Sequence, residues 1–313
     1  MMRRHEENLT VTFDVTRRAI LACSVPWLLP GCATGMGQEI DLNGPLGALQ
    51  TRTGGKLGVF AQHTGSGDFI GFNAETRFAM CSTFKVLLAA AVLARVDAGE
   101  VSLDQTIAFS RADLVPHAPV TSRRLADGRM SVRDLLAASL EVSDNPAANL
   151  LLPLVGGPSG VTDFVRGNGD IVTRLDRQEP ELNTNLPGDL RDTTTPLAMG
   201  GTLRRLLLGR RLTEASRAHL TAWMVAATTG RRRLRAGLPD TWRVGDKTGS
   251  GANGAFNDVA VAWPTVGAPL VLAVYTSGAT APADTLDAVH AVTARLVARE
   301  LVDAAAFPPP ARA

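Results

Sequence analysis

The chain reads as an α/β protein of the α+β kind, with an antiparallel sheet assembled from both ends of the sequence beside a domain made from its middle. Three observations predict this. Short β-rich runs separated by turn residues occur near the start and again near the end. Each end also supplies one helix, the final one amphipathic. Between them, from Ser82 to Trp223, helical stretches alternate with loops.

In chain order, residues 42–53 form the first expected helix. Residues 57–63 and 69–73 read as two strands around a Gly65-Ser66-Gly67 turn, because Gly and Ser favour tight reversals. Residues 82–97 are almost wholly apolar at helical length and stop at Gly99, the pattern of a helix buried all round. Residues 174–192 carry no periodicity and much Asn, Pro, Asp and Gly, so they predict a long loop. Residues 242–247, 258–263 and 270–276 complete a set of five strands, and 283–304 form the closing helix. Residues 40–78 and 225–304 are therefore assigned to a discontinuous sheet domain. Residues 79–224 are assigned to an all-helical domain that includes the long loop, and 305–313 to a frayed, Pro-rich tail. The cleft between two such domains is the expected place for a site.

With 45% hydrophobic and 20% charged residues, the chain has the composition of an ordinary globular protein. A net charge of +2 gives no basis for a nucleic-acid or membrane surface. Residues 1–33 read as an export signal. Thr16-Arg17-Arg18-Ala19-Ile20-Leu21 resembles a twin-arginine consensus, and the apolar stretch that follows is short and broken by Pro26, so it does not predict a membrane span. Leu29-Pro30-Gly31-Cys32 resembles a lipoprotein box with an atypical Pro30; cleavage near Ala33 without a lipid is the preferred reading. Only Cys81 then lies well inside the folded part, so no internal disulfide is expected.

Four short motifs carry chemistry. In Ser82-Thr83-Phe84-Lys85, an i,i+3 spacing on a helix places a hydroxyl and an amine on one face. A serine that attacks an acyl carbon needs a base beside it. Alone, the pattern is as well explained by a capping serine and a solvated lysine. Lys85, however, opens a run of eight apolar residues, a poor place for solvation. Ser143-Asp144-Asn145 can aim a hydroxyl and a carboxamide into a cleft, or simply cap a helix. In Lys247-Thr248-Gly249-Ser250, strand alternation puts Lys247 and Gly249 on one side and Thr248 on the other, and the glycine permits close approach. Glu179-Pro180-Glu181-Leu182-Asn183, in the long loop, offers a carboxylate to activate a water and a carboxamide to hold it. A solvated acidic loop is the plain alternative. The order of all four in one chain is what argues for function. No Gly-x-Ser-x-Gly elbow, metal-binding histidine spacing or phosphate-binding glycine loop competes with them, so no metal or organic cofactor is expected.

Together the motifs resemble those of class A serine β-lactamases. The likeness extends to Arg174-Leu175-Asp176-Arg177-Gln178-Glu179-Pro180-Glu181-Leu182-Asn183, to Arg191-Asp192-Thr193-Thr194 and to Val244-Gly245-Asp246-Lys247-Thr248-Gly249. The resemblance implies a two-domain fold of the β-lactamase and transpeptidase type, and a monomer that opens β-lactams through an acyl-serine. It implies Ser82 as nucleophile, Lys85 as its proton acceptor, and Ser143 as the hydroxyl that relays a proton to the departing nitrogen. Glu179 and Asn183 would order the deacylating water, leaving open whether Lys85 or Glu179 is the base for acylation. Asn145, Lys247, Thr248, Gly249, Ser250, Arg233 and His117 would bind substrate, with His117 at the cleft mouth. Arg177 and Asp192 would tie the loop ends. Cys81 occupies a position that forms a disulfide in some carbapenem-hydrolysing relatives, but the partner position here is Gly251. The alternatives are a penicillin-binding D,D-peptidase or transpeptidase, which normally lacks the Glu179 and Asn183 pair, and a non-catalytic β-lactam sensor.

Overall fold

The computed structural model describes residues 37–302. The leader, with Arg17, Arg18 and Cys32, and the tail lie outside them. Helix α1 (Asn43–Thr53) ends at Gly54, whose φ of 68° is the left-handed geometry that closes helices without a Cβ clash. Strands β1 (Lys56–His63) and β2 (Phe69–Phe72) form a hairpin, and the two-residue β3 (Phe78–Ala79) follows. A 3-10 turn, Cys81–Thr83, leads into α2 (Phe84–Asp97). Strands β4 (Thr106–Ala108) and β5 (Arg129–Ser131) pair antiparallel before α3 (Val132–Glu141), α4 (Asn145–Leu151) and α5 (Gly157–Gly167).

After the long loop, β6 (Thr193–Thr194) pairs with β3 and closes the loop's base. Helices α6 (Pro196–Leu207) and α7 (Glu214–Ala226) then start at Thr195 and Thr213, whose side chains accept N–H bonds from Ala198 and Ser216. Strands β7 (Arg243–Ser250), β8 (Phe256–Trp263) and β9 (Leu270–Ser277) and helix α8 (Ala283–Leu301) complete the chain.

The main sheet has the order β2-β1-β9-β8-β7, antiparallel throughout. Terminal segments thus meet at its centre, where β1 lies against β9. Both faces are covered, and strand alternation divides the side chains between two cores. Val259, Val261, Val271, Ala273 and Tyr275 face α2 and the other middle helices. Ala260, Ala262, Leu270, Leu272 and Val274 face α1 and α8. Helix α2 is buried from Phe84 to Leu93. Each large apolar side chain there stabilises by about 1.5–3 kcal/mol, enough together to carry Lys85 into the interior with them.

All five expected strands are present. Strand β7 runs to Ser250 rather than 247, because Thr248, Gly249 and Ser250 pair with Asp258, Asn257 and Phe256. Ser82 lies in the 3-10 turn rather than in the helix proper, which begins at Phe84. The final helix stops at Leu301. The β3–β6 and β4–β5 pairings inside the helical middle are too short to leave a period in the sequence.

Candidate active site

Ser82 is held at a point of close approach between two elements. Cys81 before it has a φ of 45°, a strained conformation for a side chain other than glycine. Asn257 of β8 holds the turn from below, its Nδ2 donating to Ala79 O at 2.9 Å and Met80 O at 3.1 Å. Strand β7 presses against the same turn. A Cβ on Gly249 would lie 2.7 Å from Met80 O and 3.2 Å from Ser82 N, so only glycine fits without movement.

Lys85, one turn on, is fully buried and surrounded by acceptors. Its Nζ donates to Asn145 Oδ1 at 2.6 Å, Ser143 O at 2.8 Å and Ser143 Oγ at 3.3 Å. It also lies 3.1 Å from Glu179 Oε1. Burial pushes the Lys85 ammonium below its ordinary pKa, and the nearby Glu179 carboxylate partly restores it. Lys247, from β7, reaches the same serine from the other side, with Nζ 3.0 Å from Ser143 Oγ and 2.8 Å from Thr248 O. Its pKa is driven well down, first by burial and then by the charge of Lys85. One hydroxyl therefore sits between two buried amines.

The Ser143-Asp144-Asn145 segment both caps a helix and serves the site. Ser143 has a φ of 61°, and Asp144 caps α4 by accepting the Ala147 N–H at 2.9 Å. The same carboxylate accepts the backbone N–H groups of Val120 at 2.9 Å and Thr121 at 3.0 Å, fixing the segment that bears His117. His117 is exposed, with Nε2 2.9 Å from Val142 O beside Ser143. Its own carbonyl accepts the Asn145 N–H at 3.0 Å.

Glu179 is 1% exposed. Ser82 Oγ donates to its Oε1 at 3.0 Å, so Ser82 and Lys85 share one acceptor oxygen. Its Oε2 accepts from Asn183 Nδ2 at 2.5 Å. Asn183 Oδ1 is buried and has no partner among the described residues, an acceptor that costs about 1–3 kcal/mol unless a water or substrate group satisfies it. At the loop's base, Asp192 (φ 58°) is fully buried and takes Arg177 Nε at 2.5 Å, with the N–H groups of Asp176 at 2.7 Å and Arg177 at 2.9 Å.

Arg233 supplies the remaining cation. It is 8% exposed, stacks 3.5 Å over the Phe256 ring, and donates to Ser250 Oγ at 2.9 Å, Gly249 O at 3.1 Å and Asn257 O at 2.6 Å. Thr248 Oγ1 donates to Thr229 Oγ1 at 2.7 Å. Ser82, Lys85, Ser143, Asn145, Lys247, Glu179 and Asn183 are thus joined in one network, with Arg233 and Ser250 reaching it along β7. Sequence reasoning missed Asn149, which grips Glu179 at both ends of its backbone. Its Oδ1 accepts the Glu179 N–H at 3.0 Å and its Nδ2 donates to Glu179 O at 2.8 Å. The available signal was its i+4 spacing from Asn145 on α4. Asn257 left no signal of its own.

The sequence signature of the β-lactamase enzyme family matches residues 45–303. The chain is 44% identical over 283 residues to β-lactamase OXY-2 of Klebsiella oxytoca, spanning 90% of this chain and 97% of that protein. It is 45% identical over 282 residues to the carbapenem-hydrolyzing β-lactamase KPC of Klebsiella oxytoca, spanning 90% and 95%. Among solved structures, an ancestral class A β-lactamase superposes with a TM-score of 0.81 at 53% identity, covering 83% of this chain and 100% of that one. The chain belongs to the β-lactamase enzyme family, and these relatives place it in class A.

Proposed function

We infer that the protein hydrolyses β-lactam antibiotics, penicillins and cephalosporins among them, by way of an ester on Ser82. The observation that carries this is the Glu179 carboxylate, hydrogen-bonded to the Ser82 hydroxyl, with the unpartnered Asn183 Oδ1 beside it. In the first half-reaction Ser82 Oγ attacks the lactam carbonyl carbon and loses its proton. Glu179 already accepts that hydroxyl hydrogen bond, which favours it as the base, with Lys85 as the neighbouring reservoir. The backbone N–H groups of Ser82 and Ser250 receive the oxyanion. The C–N bond breaks as Ser143 Oγ, hydrogen-bonded to Lys247 as well, passes a proton to the nitrogen and is itself reprotonated by Lys85, which recovers its proton from Glu179 and so returns that group to the carboxylate form.

In the second half-reaction a water between Glu179 and Asn183 gives its proton to the carboxylate and attacks the ester. Product acid leaves and Ser82 recovers its hydrogen. Arg233, Lys247, Thr248 and Ser250 bind the substrate carboxylate, Asn145 its acyl-amide arm, and His117 borders the entrance. Arg177 and Asp192 hold the loop in place. The sheet domain of 40–78 and 225–304 and the helical domain of 79–224 supply opposite walls of this cleft. The export signal of 1–33 places the enzyme outside the cytoplasm, where it acts as a monomer. No helix among the described residues is long and apolar enough to cross a membrane.

Purified protein mixed with a chromogenic cephalosporin in large excess is expected to consume all of it at a steady rate. One stoichiometric burst followed by silence would instead assign the chain to the peptidases or sensors that acylate and stop.

A further inference from the structure

We propose that the outer side of the loop carrying Glu179 holds a second binding site, for a small polycarboxylate, separate from the cleft around Ser82. A cavity of about 500 Å³ lies there, between the adjoining ends of β1 and β9 and residues 184–191. This volume is in the range of small-molecule sites. Lys56, Arg77, Arg177 and Arg191 line it, and Asp189 is its only carboxylate. Arg177 is engaged by the buried Asp192 behind it, and Arg191 by Asp189, through bonds of 3.0 and 2.8 Å. Lys56 and Arg77 form no ion pair among the described residues. Arg77 spends Nη1 on Val172 O at 3.1 Å and Thr193 Oγ1 at 3.0 Å, both neutral. The lining therefore carries an uncompensated positive charge facing a concave space.

The geometry selects the chemistry. Planar guanidinium forks pair best with planar carboxylates, two N–H bonds at a time. Lys56 begins β1 and Arg77 precedes β3, so both belong to the rigid body of the fold, whereas Arg191 belongs to the loop. Arg77 has Nε and Nη2 uncommitted among the described residues, and Arg191, whose Nε and Nη2 hold Asp189, keeps Nη1, so a ligand bearing two or three carboxylates can pair with Lys56 and Arg77 and still reach the loop, which a monocarboxylate cannot. The loop wall is already latched to the sheet by Asn185 Nδ2 to Asn253 O at 2.8 Å, Asn253 Nδ2 to Thr184 O at 2.9 Å and Ser277 Oγ to Asn185 Oδ1 at 3.1 Å. A bound polyanion would add charged links to this latch, directly after Asn183.

The test uses citrate, titrated into the whole enzyme by calorimetry at fixed ionic strength, with thermal unfolding followed in parallel. Saturable binding and a rise in melting temperature are expected for the wild type. Lys56→Glu is exposed and outside the catalytic network; it is expected to weaken citrate binding by about tenfold or more, equivalent to at least about 1.4 kcal/mol. Its turnover without citrate should equal that of the wild type. Arg233→Ala, which alters the catalytic cleft, should bind citrate as the wild type does. Absence of saturable heat overturns the proposal, and so does binding that persists in Lys56→Glu, which would put citrate in the catalytic cleft or elsewhere.

Discussion

Replacing Glu179 with Gln tests the chemistry with the smallest change of shape. Oε1 accepts from Ser82 Oγ at 3.0 Å and lies 3.1 Å from Lys85 Nζ, so the carboxamide oxygen should stay there, facing two donors. Its NH2 group then meets Asn183 Nδ2, which is 2.5 Å from Oε2 in the wild type. Two donors cannot face each other at that distance. Asn183 can resolve the conflict by turning its amide over, because Oδ1 has no partner to lose; the cost is the 3.1 Å bond from Nδ2 to Pro180 O. The variant should therefore fold, with the water-activating base gone. A positioned base contributes about 10²–10⁴-fold, or roughly 3–5 kcal/mol of barrier at about 1.4 kcal/mol per tenfold. Acylation loses its favoured base as well but keeps Lys85, one turn along from Ser82, as a second proton acceptor, whereas the deacylating water has no other base, so deacylation should slow more than acylation and the ester should accumulate. Mass spectrometry after mixing with a cephalosporin is expected to show one added substrate, located on the peptide containing Ser82. Wild-type turnover with no adduct would refute the assignment of Glu179, and an adduct on another peptide would refute that of Ser82.

Arg177→Ala strands the buried Asp192 carboxylate. Losing one partner of such a pair costs about 3–5 kcal/mol, but two backbone N–H bonds to Asp192 survive, so a loss of about 2–3 kcal/mol is expected in urea unfolding, with an altered substrate profile; an unchanged midpoint and profile would remove the tie from the account. Gly249→Ala places a methyl 2.7 Å from Met80 O and must push β7 away from the Ser82 turn. Acylation measured by stopped flow should fall by about 10²–10³-fold, the scale of a lost oxyanion donor, and an unaffected rate would contradict the close approach. His290 is buried with Nδ1 2.9 Å from Leu286 O, and burial lowers its pKa to about 3. Because the folded value lies below the unfolded one, its protonation leaves stability intact above about pH 6.5 and erodes it as pH falls toward 3. His290→Leu should flatten that acid limb of the unfolding free energy, and a limb of the same slope would show that other groups govern it.

The strands and the apolar helix were legible because their signal is local. Residues 258–263 and 270–276 announce strands through β-branched, turn-bounded runs, and α2 through its apolar length. The motifs were legible because each is a few residues long. Their roles came only with the family resemblance: by its residues alone the Ser143-Asp144-Asn145 segment reads as well as a cap, and in the structure it is one, through Asp144, while Ser143 and Asn145 serve Lys85. Asn149 stayed hidden because a single Asn on a helix reads as solvent-facing until the loop it grips is seen packed against it.

What the sequence determined unaided is therefore the inventory: five strands, a buried helix with a lysine at its head, and four motifs in order. Only the tertiary structure brought Glu179 to Ser82 across 97 residues and Lys247 to Ser143 across 104. The physical reason is range. Hydrophobic period and turn chemistry act between neighbours along the chain, whereas a shifted lysine pKa or a shared acceptor oxygen depends on which distant groups the packed core forces together and which waters it shuts out.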